Sequence, residues 1–173
     1  MNYYGAKELA ASFRTVRKNT ITIAQDIPEE KYGFTPVPEC RNVTQLLVHI
    51  ALSPRFQYQV HAIERRTTLE GFDFPAMMSR LGAEASQLRS KPQIVDILRL
   101  EGETWASWVE SLTEDFLAER VEMPIRAAQP SKSRFEMLLS AKEHEMHHRG
   151  QLMLMERLLG IVPHLTRERG QHR

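Results

Sequence analysis

Apolar residues recur along this chain at alternating spacings of three and four, the rhythm of the buried stripe of an α-helix. Leu9, Phe13, Val16, Thr20, Ile23 and Ile27 form the first stripe, and Pro28 stops it. The Pro-rich stretch that follows reads as loop. Asn42 with Gln45 three residues on has the form of a capping box, opening a second helix through Val43, Leu46, Leu47, Ile50 and Phe56. Pro54 is expected to kink that helix rather than end it, because apolar spacing resumes at Val60 and Ile63 and extends it to about Arg66. Residues 67–91 form a long connection around a short helical piece, FPAMMSRLG.

A third helix opens at Ser90, with Pro92 and Gln93 as start signals and Ile94, Leu98, Trp105, Trp108, Leu112 and Phe116 as its apolar side. The next segment, ERVEMPIRAAQPSKS, has no helical stripe, and its VEMPI core allows a short extended piece at most. Ser133 and Glu136 cap a fourth helix from near Arg134 to Gly160. The polar end after Pro163 is expected to fray. These segments predict an all-α fold, a four-helix bundle with a long connection between helices 2 and 3. One domain is expected over residues 1–163, with a polar tail at 164–173.

Composition narrows the function. At 173 residues the chain can bury roughly two-thirds of its unfolded surface and needs no staple. Its 23 Lys+Arg against 22 Asp+Glu leave a net charge of +1, so no general electrostatic pull toward nucleic acid is expected. Cys40 stands alone, which rules out an intramolecular disulfide and fits a reducing, cytoplasmic setting. No apolar run is long enough to span a membrane, and the first residues lack the apolar core of a signal peptide. Neither GxGxxG nor GxxxxGK[ST] occurs, so nothing points to a nucleotide cradle.

The chemistry is expected among the histidines, of which three fall between positions 144 and 148. His144 and His148 are about 40° apart around a helix and about 6 Å apart along it, so both imidazoles can reach one cation. They also fall on the stripe Met137, Ala141, Leu152, Met155 and Leu159, which places them on the buried face. His147 is rotated by about 100° from His148 and drops off that face. His49, in the apolar sector of the second helix, is the candidate third ligand. Three neutral imidazoles suit a divalent ion such as Zn²⁺ or Ni²⁺. The bland alternative is that these histidines hydrogen-bond to backbone or water within the core.

The same residues spell HExxH, the zinc-peptidase motif in which the glutamate, here Glu145, is the general base. Its context is poor: Gln151 and Leu154 stand where the metzincin extension has glycine and histidine, a downstream glutamate ligand is conceivable only as Glu168 in the tail, and no edge strand is expected. From its helical angle Glu145 is expected to face solvent. Glu101 is expected at the margin of the buried side of the third helix. Gly150 reads as a point of close helix approach beside the site, and His61, His164 and His172 as surface residues. Trp105, Trp108, Met146, Met153 and Met155 read as packing for the bundle or for a homodimer face. Arg149 defaults to solvent and Cys40 to an incidental position.

LLVHI early in the second helix, with H-x-x-H-H-R-G-Q-L in the last, resembles the DinB/YfiT superfamily of helical-bundle proteins over about residues 4–160. The resemblance implies a metal held by His49, His144 and His148. It also implies metal-dependent chemistry with a low-molecular-weight thiol and a small electrophilic substrate, as in that family's thiol S-transferases and maleylpyruvate isomerase. The chain departs from the common Gly-Lys/Trp-Ser turn before the second helix, having Glu39-Cys40-Arg41-Asn42 instead. Three classes compete: a metal-dependent transferase or hydrolase, a non-catalytic bundle pinned by metal, and a homodimeric interaction protein.

Overall fold

The computed structural model describes residues 4–171. It is mostly helical, with four long helices: α1 (Ala6–Asp26), α2 (Val43–Leu52), α5 (Lys91–Glu110) and α7 (Arg134–Leu158). α1 packs on α5, α5 on α2, α2 on α7 and α7 on α1, so the four close a ring around the core. At one end the core is Ile23, Leu46, Leu47, Leu98 and Leu152; at the other it is Leu9, Phe13, Trp105 and Leu138.

Local sequence chemistry sets the starts of these helices. Asn42 Oδ1 accepts from the Gln45 amide at 2.8 Å while Gln45 Oε1 accepts from the Asn42 amide at 3.0 Å. Gln93 Oε1 accepts from the Ser90 amide at 2.8 Å, and Ser133 exchanges the same pair of bonds with Glu136. Each side chain satisfies an amide that the first turn leaves without a partner.

The second helix does run past Pro54, but in pieces. After α2 come α3 (Pro54–Tyr58) and a π-helical turn, Gln59–Ile63, followed by Arg65 at φ 49°. Pro54 has no N–H, so the Ile50 carbonyl loses its helical donor. Ser53 Oγ takes it up at 3.1 Å, with a second donor described below.

Elsewhere the elements differ from the sequence expectation. The helical piece in the long connection is a full helix, α4 (Phe74–Ala85), because Asp73 Oδ1 caps the Ala76 amide at 2.9 Å. α5 ends at Glu110; Phe116 belongs to a separate short helix, α6 (Glu114–Ala118), capped by Thr113. VEMPI contributes β1 (Arg120–Glu122), which pairs antiparallel with β2 (Ser131–Ser133) and places Val121 in a small cluster with Val60, Leu69 and Met137. The segment expected to fray is instead α8 (His164–Gln171): His164 Nε2 lies 3.3 Å from Asn19 Oδ1, and Arg167 bonds Asp26 at 2.6 Å. Among the described residues no helix is long and apolar enough to cross a membrane.

Candidate metal centre

α2 and α7 face each other, and across that seam His49 meets His144 and His148. The three Nε2 atoms form a triangle in which every edge is 3.1 Å. A ring nitrogen either carries a proton or offers a lone pair. Three such atoms in mutual contact must include at least one pair of like atoms, so hydrogen bonding cannot satisfy the whole triangle. A cation facing three lone pairs can. With metal–nitrogen bonds of 2.0–2.1 Å, neighbouring ligand nitrogens stand about 3.3 Å apart around a tetrahedral ion and about 2.9 Å apart around an octahedral one. The observed edge falls between the two, so the three histidines fit a divalent ion, as their grouping as candidate ligands indicates.

The surroundings prepare the nitrogens for that role. Burial pushes His49 and His144 down to about 4, and His148 down as well, with the charge of Arg41 acting in the same direction on all three. The imidazoles are therefore neutral near pH 7, the state that ligates. Gln151 Oε1 accepts from His148 Nδ1 at 2.8 Å, which keeps the proton on Nδ1 and the lone pair on Nε2. The amide of the same Gln151 lies 3.4 Å from Nε2 of the exposed His147. His144 Nδ1 is buried without a hydrogen-bond partner among the described residues.

Other expectations change. Glu145 does not face solvent: its side chain is 1% exposed and ion-paired to the equally buried Arg17 of α1, with Nη2 to Oε2 at 2.9 Å. That partner lies 128 residues away, beyond the reach of any local pattern. Held in the core by Arg17, Glu145 is not placed as the base that the HExxH reading requires. Gly150 is exposed and has nothing near it; close approach occurs at Gly102, where a Cβ would lie 2.8 Å from Arg17 Cγ. Glu101 makes a two-pronged contact with Arg55, Nε–Oε2 2.8 Å and Nη2–Oε1 2.6 Å, and Glu84 shares that guanidinium. His61 and His164 are buried rather than exposed, while His172 lies outside the described residues. Cys40 is exposed, and Arg149 is half-buried. Trp105 and Met155 are core residues.

Comparison with known proteins settles the family. A model of the DinB superfamily matches residues 12–152, a span that includes all three histidines. The chain belongs to the DinB superfamily. Two solved structures share its fold. A DinB-like protein from Bacillus subtilis is 20% identical, with a TM-score of 0.65 over 88% of this chain and 92% of that one. A protein described as a DinB family member from Exiguobacterium sibiricum is 19% identical, with a TM-score of 0.64 over 92% of this chain and 95% of that one. No curated protein is similar enough to count as a match. DinB membership thus accounts for the helical fold.

Proposed function

We propose that this DinB protein is a metal-dependent enzyme that joins a low-molecular-weight thiol to a small electrophile, using a divalent ion, Zn²⁺ or Ni²⁺, held by His49, His144 and His148. The observation that carries the reading is the 3.1 Å triangle of neutral Nε2 atoms. Three protein ligands are one fewer than a closed structural zinc site uses, which favours chemistry over a purely structural ion. A divalent ion held by these histidines would supply a Lewis acid able to acidify a thiol for transfer or water for hydrolysis. The chain's own residues do the rest. Gln151 fixes the tautomer of His148, and the positive charge of Arg41, close enough to act on all three imidazoles, favours an anionic ligand such as a thiolate. Glu39, Cys40 and Arg41, in the segment just before α2, are the candidate selectors of substrate.

Homodimerisation is part of the proposal. Met146, Gly150, Leu154 and Leu158 follow one another at four-residue intervals along α7, all exposed, and offer a helix face for a second copy. Sedimentation showing a strict monomer at micromolar concentration would remove that part.

The test of the main reading is metal analysis of untagged protein. Wild type is expected to hold one divalent ion per chain, and His49→Ala and His148→Ala none; unchanged occupancy in both variants refutes the site. A screen of small thiols against electrophiles on the loaded protein then assigns transfer or hydrolysis.

A further inference from the structure

The buried guanidinium of Arg17 touches all three other long helices. Nε lies 3.0 Å from both carboxylate oxygens of Glu145 on α7, Nη1 donates to the Leu98 carbonyl of α5 at 2.6 Å, and Nη2 reaches the Ile50 carbonyl of α2 at 3.3 Å. Arg17 is 3% exposed and Glu145 1%, so these bonds form away from water. Two sequence features make room for them. Pro54 strips the Ile50 carbonyl of its helical donor and leaves it for Arg17. Gly102 lacks the Cβ that would sit 2.8 Å from Arg17 Cγ and 2.9 Å from Nη1.

The two anchor points on α2 and α7 are the immediate chain neighbours of ligand histidines: Ile50 follows His49, and Glu145 follows His144. We propose that Arg17 is a positioning residue for the metal centre, setting the separation of His49 from the His144–His148 pair by tying the Ile50 carbonyl beside the one and the Glu145 carboxylate beside the other to one rigid fork. The inference rests on the triad holding a divalent ion. A planar guanidinium suits this task, because its donors leave in fixed directions and cannot follow a helix that slides. Arg14, on the outer side of α1, is the natural contrast: it pairs with Glu103 and Glu110 of α5 at the surface and touches neither ligand-bearing helix.

The test titrates metal-free protein with Co²⁺, whose visible spectrum reports coordination geometry, and with Zn²⁺ by competition. Wild type and Arg14→Met are expected to bind alike. The double variant Arg17→Met/Glu145→Leu removes both charges and keeps apolar volume, a replacement that buried ion pairs tolerate without loss of folding. It is expected to fold, by circular dichroism and thermal melting, yet to bind Zn²⁺ about ten- to a hundredfold more weakly with an altered Co²⁺ spectrum, the usual cost of losing support behind a ligand. Gly102→Ala, which pushes on Arg17 while keeping every charge, is expected to move both readouts in the same direction by less. A folded double variant with wild-type affinity and spectrum, whatever its melting temperature, overturns the proposal. If that variant does not fold, Gly102→Ala decides on the same criterion. Wild-type protein that binds neither ion overturns the metal reading itself, and this inference with it.

Discussion

Two histidine sites in this protein, one fully buried and one half-buried, teach opposite things. At His61 each ring nitrogen meets an unlike partner: Arg134 Nη1 donates to Nδ1 at 2.9 Å, and Nε2 donates to Gln57 Oε1 at 3.0 Å. Gln57 Nε2 then donates to Ser140 Oγ at 3.1 Å, and Arg134 is neutralised by Glu119 at 2.8 Å. In the triad, Nε2 meets Nε2. Burial pushes His61 down to about 4, as partial burial does His49 and His144, so neutrality does not distinguish a ligand from a strut. What distinguishes them is whether the protein itself completes the hydrogen bonding. His61 closes a structural chain; the triad leaves three lone pairs pointing at one place.

Substituting the two clusters breaks this comparison most directly. Structural zinc bound by four ligands is worth about 10–16 kcal/mol, so each ligand contributes on the order of 3 kcal/mol. Losing His49 or His148 is therefore expected to weaken metal binding by more than about a hundredfold. His61→Ala is expected to leave binding untouched, and calorimetric titration of the three variants separates the clusters. Glu145→Ala comes next in size. It strands the Arg17 charge in the core and is expected to cost about 3–5 kcal/mol in denaturant unfolding of metal-free protein. A loss below 1 kcal/mol would mean that water reaches the pair.

His61→Ala instead strands one donor, Arg134 Nη1, and one acceptor, Gln57 Oε1, at about 1–3 kcal/mol. It also carries a pH signature. The folded state keeps His61 neutral down to about pH 4, whereas the unfolded chain takes up the proton near 6.5. Stability from this group is full above pH 6.5 and declines as pH falls toward 4. The slope of unfolding free energy between pH 6.5 and 4 is accordingly expected to be shallower in the variant; an unchanged slope would exclude His61 as its source.

The smallest expected effect is at Glu156, fully buried on α7 with neither carboxylate oxygen hydrogen-bonded among the described residues. Burial, then the charge of Asp26, raises it to about 7 against the opposing charges of Arg167 and Arg157. The unfolded carboxyl ionises above pH 4.5 and the folded one only above 7, so stability declines as pH rises across that interval. Glu156→Gln is expected to stabilise the protein at pH 8 by about 1 kcal/mol, with little effect at pH 4.5. A variant no more stable than wild type at pH 8 would show that the native site accommodates the charge.

Legibility followed the distance between partners. Asn42 with Gln45, Ser90 with Gln93 and Ser133 with Glu136 act within one turn, so the helix starts were readable. His144 and His148 share one helix face, and His49 lay in the apolar sector of another, so the triad could be assembled from helical angles. Glu145 could not be read this way. A charged residue defaults to solvent unless its partner is known, and Arg17 is on a helix 128 residues earlier. The same blindness hid His61, whose partner Arg134 is 73 residues on, and His164, which meets Asn19 145 residues back. The close approach expected at Gly150 falls instead at Gly102, because no helical angle reveals an arginine crossing above Gly102, or open space beside Gly150. Of the short ribbon only the extended VEMPI piece was legible, and β2 and α8 were missed, because few residues carry each pattern.

His49 and His144 stand 95 residues apart in the chain. Between them lie α3 to α6 and both strands of the ribbon, so the nitrogens of α2 and α7 meet only when a long loop of chain has closed. For an ion held by the triad, loading is therefore the last act of folding rather than its seed, in contrast to a zinc finger that collects its metal while still unstructured. When chain and Co²⁺ are mixed from denaturant, helical signal returns first and colour follows, so that the metal certifies a finished fold.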